Sequence, residues 1–66
     1  MNITLNGDGQ VVPTGATILA LIESVGLLPE ATAVQRNGEI VPRSAYADTI
    51  LAEGDTVELV RFVGGG

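Results

Sequence analysis

The 66 residues carry three basic and eight acidic side chains, a net charge of −5, and neither cysteine nor histidine. A chain of this length forms one small domain, without a thiol nucleophile, an imidazole general base, or a thiolate or imidazole metal ligand. The acidic balance argues against nucleic acid, and the apolar stretches are too short to span a membrane, so a cytoplasmic location is our default expectation.

The first predicted element is a β-hairpin. Apolar and polar residues alternate over residues 1–6, which is the period of a half-buried strand. The segment Gly7-Asp8-Gly9 predicts a turn. Residues 10–12 then predict the returning strand, which Pro13 ends.

A change of period after Pro13 predicts a helix. Its apolar stripe consists of Ile18, Leu21, Ile22 and Val25, at positions i, i+3, i+4 and i+7. Thr17 is the preferred N-cap, and Thr14 is the alternative. Gly26 stands where a glycine would close the helix, with Pro29 just beyond it. The rest of the chain contains no comparable helical stripe.

A second, shorter hairpin follows the helix. Residues 33–37 predict a strand, Gly38-Glu39 a turn, and residues 40–41 a return that Pro42 stops. Residues 43–49 predict a single helical turn around Tyr46. We interpret Tyr46 as a packing residue beneath a loop rather than a catalytic group.

The last predicted strand runs from Thr56 to Phe62 or Val63, after a turn over residues 53–55. Because side chains alternate between the faces of a strand, Val57 and Leu59 share one face and Val60 and Phe62 the other. We expect the Val57 face to pack against the helix. Val60 and Phe62 would then be exposed on the open face of the sheet.

The order of elements is hairpin, helix, hairpin and final strand. One amphipathic helix must cover one face of a mixed four- or five-stranded sheet, with the first and last strands side by side at its centre. The expected fold is therefore α+β of the β-grasp, or ubiquitin-like, type. We assign residues 1–63 to this domain and residues 64–66 to a flexible tail.

The tail ends in Gly64, Gly65 and Gly66. A frayed terminus is the plain interpretation, because glycine packs nothing and loses the most entropy on ordering. A segment without Cβ atoms is also the thinnest peptide that can enter a narrow channel of an enzyme. There the carboxylate of Gly66 could be activated, with the chemistry supplied by the partner.

Several short motifs together carry a family resemblance. They are residues 37–43 (NGEIVPR), Leu51 with residues 53–55, Val57-Glu58, and residues 63–66. In this order and spacing the chain resembles the ThiS-type sulfur carriers of thiamine biosynthesis, over essentially its whole length. It departs from the family pattern at Gln35 and Arg36, where apolar or small residues are usual.

The resemblance implies a carrier rather than an enzyme. A ThiF-like adenylating enzyme would use ATP and magnesium to convert the Gly66 carboxylate to an acyl-adenylate. A sulfur donor such as a persulfide-bearing enzyme would displace AMP, and reduction would leave a thiocarboxylate. A ThiG-like thiazole synthase would accept the sulfur. Gly64 and Gly65 would form the approach to Gly66, and the chain itself would bind neither cofactor nor metal.

Three residues are candidates for docking the activating enzyme. Val60 and Phe62 would present apolar surface beside the tail, although Phe62 could instead fold back onto the domain. Arg43 lies in the family-like motif and could contact a partner or cap a turn. Each of these roles is a hypothesis about a surface, not about catalysis.

Two other functions remain open on the sequence. A carrier for molybdopterin, cysteine or tRNA thiolation would share the fold and the tail. A non-catalytic β-grasp interaction module would have an idle tail. The absence of lysine argues against a modifier that builds chains on itself.

Overall fold

The computed structural model describes residues 1–62, which form five strands, one α-helix and two 3-10 turns. The strands are β1 (Asn2–Leu5), β2 (Asp8–Val11), β3 (Thr32–Arg36), β4 (Glu39–Val41) and β5 (Thr56–Arg61). The helix is α1 (Ile18–Ser24), and the 3-10 turns are Pro29–Ala31 and Arg43–Ala45.

The five strands form one mixed sheet in the order β2-β1-β5-β3-β4. β1 and β5 run parallel, with Leu5 opposite Val57, while the other neighbouring strands are antiparallel. The first and last strands therefore lie side by side, as the sequence predicts. One helix on a five-stranded mixed sheet is the β-grasp arrangement, which confirms the expected fold class.

The core lies between α1 and one face of the sheet. Its buried apolar residues are Ile3, Val12, Ile18, Leu21, Ile22, Val34, Tyr46, Leu51, Val57 and Leu59. Burial of Val57 and Leu59 confirms the predicted inner face of β5. Fully burying an aliphatic side chain contributes about 1.5–3 kcal/mol to the free energy of folding. Burial of this layer is therefore the main stabilising contribution in so short a chain.

Helix α1 begins and ends at the predicted cap residues. The Thr17 hydroxyl accepts the Ala20 N–H at 3.1 Å, and Gly26 has a φ of +79° that closes the helix. The predicted role of Val25 in the apolar stripe is wrong. The helix ends at Ser24, so Val25 is its C-cap and is 39% exposed. No helix within residues 1–62 is long and apolar enough to cross a membrane.

The two hairpin turns lie earlier than predicted. The first turn is Asn6-Gly7, with φ of +50° and +87°, and the second is Asn37-Gly38, with φ of +52° and +83°. Two-residue hairpin loops in which both residues have positive φ are type I′, for which Asn-Gly is the favoured pair. The predicted turns at residues 7–9 and 38–39 are therefore wrong. Asp8 and Glu39 already belong to the returning strands.

The predicted helical turn around Tyr46 is confirmed as a 3-10 turn. Tyr46 is 4% exposed, and its hydroxyl donates to the backbone oxygen of Thr32 at 2.6 Å. The Tyr46 carbonyl in turn accepts the N–H of Leu19 on α1 at 2.9 Å. Tyr46 thus joins its loop to both β3 and α1, which confirms the interpretation as a packing residue.

Candidate functional site

Strand β5 leads to the end of the described chain. The backbone N–H of Phe62 donates to the Ala31 oxygen at 2.8 Å, so β5 is held to the 3-10 turn that precedes β3 up to this residue. The predictions for residues 63–66, including Gly64, Gly65 and Gly66, lie outside the described residues. The same holds for the predicted domain boundary at residue 63.

Two asparagine side chains fix the position of β5. The Asn6 Oδ1 accepts the Leu59 N–H at 2.8 Å, and the Asn37 Oδ1 accepts the Thr56 N–H at 2.9 Å. Asn6 also donates its backbone N–H to Val57 O at 2.9 Å. Its side-chain bond to Leu59 therefore continues the hydrogen bonding between β1 and β5 by one bond beyond the end of β1. β5 is therefore tied to both hairpins by the residues that form their turns.

A buried carboxylate organises the beginning of β5. Asp55 is 6% exposed, and its Oδ2 accepts the Arg36 Nε–H at 2.8 Å and the Ala52 N–H at 2.9 Å. Its Oδ1 accepts the Asn37 amide at 3.0 Å. Burial raises the pKa of Asp55, but these hydrogen bonds and the Arg36 charge together hold that pKa below its usual value.

The structure explains how β3 accommodates polar residues at positions 35 and 36, where the chain departs from the family pattern. Arg36 reaches back to Asp55 across the β3–β5 pair. Gln35 lies on the open face of the sheet, opposite Glu58 and Ile40 on the neighbouring strands. Both polar side chains therefore avoid the core, and β3 packs through Thr32 and Val34 instead.

The open face of the sheet carries an apolar surface near the end of β5. Val60 is 57% exposed, Phe62 59% and Ile40 77%. Val60 and Ile40 line one groove, while Phe62, Ile40 and Arg43 line the next. We call Ile40, Arg43, Val60 and Phe62 the Phe62 patch. The three predicted docking residues are thus exposed and lie together, while their docking role stays a prediction.

Sequence reasoning missed Ile40, Leu28 and Arg61 at this surface. Strand β4 has only three residues, so its alternation does not reveal whether Ile40 or Val41 faces the core. Leu28 is 61% exposed and lines a further groove together with Arg61 and Phe62. Phe62 therefore shares one groove with Arg43 and another with Arg61.

The described surface has features of a protein-binding surface. Within residues 1–62 no three carboxylates come together as metal ligands. The groove beside Val60 is lined mainly by aliphatic side chains, with Gln35 and Glu58 at its polar margin. Exposed apolar side chains that are grouped together are a feature of protein-interaction surfaces.

Comparison with known proteins places this arrangement in a family. The sequence model of the ThiS family matches residues 2–66. The chain is 40% identical over 65 residues to the sulfur carrier protein ThiS of Bacillus subtilis, covering 97% of this chain and 98% of that protein. The crystal structure of the thiamine biosynthesis protein ThiS from Geobacter metallireducens has a TM-score of 0.83 and 33% identity, with both chains covered completely.

The chain is also similar to part of a larger protein. It is 41% identical over 66 residues to a thiazole synthase of Magnetococcus marinus. A thiazole synthase of Paramagnetospirillum magneticum is 39% identical over the same length. The whole chain is matched in both cases, but it spans only 20% of each thiazole synthase.

Proposed function

Because the chain belongs to the ThiS family, the sulfur carriers of thiamine biosynthesis, we propose that it carries sulfur as a thiocarboxylate at Gly66. It is a carrier and not an enzyme. The observation that supports this proposal best is the family match through residue 66, together with a β5 strand that is held firmly up to Phe62. A fixed strand defines the point on the domain at which the tail begins.

The proposed cycle begins with adenylation. The Gly66 carboxylate attacks the α-phosphorus of ATP on a ThiF-like enzyme, and pyrophosphate leaves with magnesium. The sulfur of a persulfide then attacks the acyl carbon and displaces AMP. A thiol reduces the resulting acyl disulfide, which leaves the thiocarboxylate on Gly66. The carrier contributes the acyl group and a binding surface, and the partner enzymes contribute the catalysis.

The Phe62 patch is the proposed docking surface for the adenylating enzyme. It lies immediately before the segment that must enter the active site, so one enzyme can bind both. Val60, Phe62 and Ile40 would supply the apolar contacts, and Arg43 a charged margin. Aromatic and arginine side chains are the residues that most often dominate interface energies.

The proposed acceptor is a ThiG-like thiazole synthase. Support comes from the thiazole synthases of two bacteria that contain a stretch similar to this chain. When carrier and acceptor are joined in one chain, their encounter becomes intramolecular and takes place at a high effective concentration. We propose that carrier and synthase meet in the cytoplasm, where ATP is available.

Intact-mass measurement tests the proposal. The chain is incubated with the adenylating enzyme, ATP, magnesium and a persulfide donor, beside a variant that lacks Gly66. We expect a gain equal to one oxygen replaced by one sulfur in the full chain alone. If a competent enzyme yields neither this gain nor an adenylate, the tail is idle and the chain is an interaction module. Transfer to thiazole synthase then separates thiamine from molybdopterin, cysteine or tRNA thiolation.

A further inference from the structure

Both hairpin turns of the domain contain the dipeptide Asn-Gly, at Asn6-Gly7 and at Asn37-Gly38. Asparagine deamidates most readily when glycine follows it, because glycine has no Cβ to hinder the approach of its own backbone nitrogen. Both asparagines are exposed to water. The two turns are therefore candidate sites of the same covalent modification.

The reaction needs water as its only co-reactant. The backbone nitrogen of the glycine loses its proton to water and attacks the Cγ of the asparagine side chain. The carboxamide nitrogen takes up a proton and leaves as ammonia, with the electron pair of the C–N bond, so that a cyclic succinimide forms. Water then adds to either carbonyl of this ring and opens it. The product is aspartate or isoaspartate, and the carboxamide has become a carboxylate.

The fold holds the carboxamide of Asn37 more firmly than that of Asn6. The Asn37 Oδ1 accepts the Thr56 N–H at 2.9 Å, and its Nδ2 donates to the Asp55 Oδ1 at 3.0 Å. Among the contacts within residues 1–62, the Asn6 carboxamide has one such bond, from the Leu59 N–H at 2.8 Å. Deamidation requires the carboxamide to turn towards the next backbone nitrogen. This rotation breaks two hydrogen bonds at Asn37, one of them to a carboxylate.

The aspartate product has different consequences in the two turns. At position 6 it still offers an oxygen to the Leu59 N–H. At position 37 it places a second carboxylate where an amide donor stood, against the buried Asp55. Two carboxylates in contact repel each other, and the guanidinium of Arg36 is already bound to the other oxygen of Asp55. The isoaspartate product lengthens the backbone of a two-residue loop in either turn.

We propose that Asn37 is a deamidation site that its contact with β5 keeps unreacted, and that its reaction prevents this contact from forming again. Whenever Asp55 and Thr56 move away from the turn, the carboxamide is free to react. The product cannot restore the contact, because it lacks the amide donor. Asn37 therefore records irreversibly that the beginning of β5 has opened. This role is independent of sulfur transfer.

Peptide mapping by tandem mass spectrometry measures both sites in one sample. Trypsin releases residues 37–43, in which Asn37 is the single asparagine, from residues 1–36, which contain Asn6. The chain is aged at neutral pH, once folded and once in enough urea to unfold it. We expect similar rates at the two sites in urea. In the folded chain, deamidation of Asn37 should be slowed several-fold more than that of Asn6. Equal slowing of both sites, or none, would overturn the protection of Asn37.

Asn37→Asp and Asn6→Asp are the matched variants for the consequence, because each adds one negative charge and installs one product of the reaction. Urea unfolding at neutral pH should show that Asn37→Asp lowers the folding equilibrium constant about ten-fold or more. Asn6→Asp should stay within about two-fold of wild type. An Asn37→Asp chain that fails to fold, beside a folded Asn6→Asp chain, supports the same conclusion. Equal stability of the two variants would overturn the inference.

Discussion

Asn37 and Thr56 exchange two hydrogen bonds. The Asn37 side-chain Oδ1 accepts the Thr56 N–H at 2.9 Å, and the Asn37 backbone N–H donates to the Thr56 oxygen at 2.7 Å. The contact joins the turn between β3 and β4 to the first residue of β5. Asn37 has a φ of +52°, so the position favours a residue that tolerates the left-handed region. The bond to the Thr56 N–H also requires a side-chain oxygen at this position.

Replacement of Asn37 should separate these two requirements. We expect Asn37→Gly to keep the left-handed conformation and lose the side-chain bonds to Thr56 and Asp55, at a cost of about 1–3 kcal/mol. Asn37→Ala should cost more, because alanine adds the strain of a positive φ. Urea unfolding of both variants provides the comparison. Equal stability of the glycine variant and wild type would show that the hydrogen bonds contribute nothing.

The pH dependence of stability should report on Asp55. Its pKa in the folded chain is lower than the ordinary value of 3.8, so the unfolded chain binds a proton more readily. The stabilisation is therefore complete well above pH 3.8 and is lost as the pH falls through the folded pKa.

The matched variant for this measurement is Asp55→Asn, which keeps the shape and removes the charge. Urea unfolding at a series of pH values should show that wild type exceeds the variant at neutral pH and that the gap narrows below about pH 4. A gap that stays constant down to pH 2 would contradict the assignment. The free energy of unfolding is compared between the two chains, which share the other seven acidic side chains.

Truncation of Phe62 should weaken docking to the adenylating enzyme. An exposed aromatic side chain at the centre of an interface commonly contributes more than 1 kcal/mol, so we expect Phe62→Ala to raise the dissociation constant about ten-fold. Val11→Ala is the control, because Val11 is 74% exposed but lies on the edge strand β2. Isothermal titration calorimetry of both variants measures the effect. An unchanged affinity of Phe62→Ala would remove Phe62 from the interface.

Removal of the Tyr46 hydroxyl should affect stability alone. In Tyr46→Phe the ring still fills the core, but the bond to the Thr32 oxygen is lost, at a cost of about 1–2 kcal/mol. Thiocarboxylate yield at saturating enzyme should equal that of wild type. A stable variant that fails to become thiocarboxylated would instead give Tyr46 a part in the partner's chemistry.

The elements with clear periodicity were predictable from the sequence. The alternation in β5 gives the correct faces because Val57 and Leu59 continue one buried row. The spacing of Ile18, Leu21 and Ile22 gives the helix. Periodicity fails at Val25. The spacing of apolar residues indicates which side of a helix faces the core, but it does not indicate the residue at which the helix ends.

The turns and the polar contacts were harder to predict for two different reasons. At the first turn three neighbouring residues, Gly7, Asp8 and Gly9, all favour turns, so local preference did not single out Asn6-Gly7. The ion pair between Arg36 and Asp55 joins residues 19 positions apart. Nothing near either residue in the sequence specifies the other, and only the packing of β3 against β5 brings them together.

The parallel pairing of β1 with β5 has a consequence for how the chain is made. The Leu59 N–H and the Asn6 side chain are bonded across 53 positions of sequence, and β5 lies between β1 and β3. During synthesis, both hairpins leave the ribosome before β5 does. Until residue 61 has emerged, the strand that joins the two hairpins is missing. Folding must await the last strand, because the contacts between β1 and β5 join distant parts of the chain. The entropy lost in bringing those parts together is compensated only once β5 is present to pair. The strand that leads to Gly66 thus also completes the domain, so chains that lack it expose their backbone to proteases.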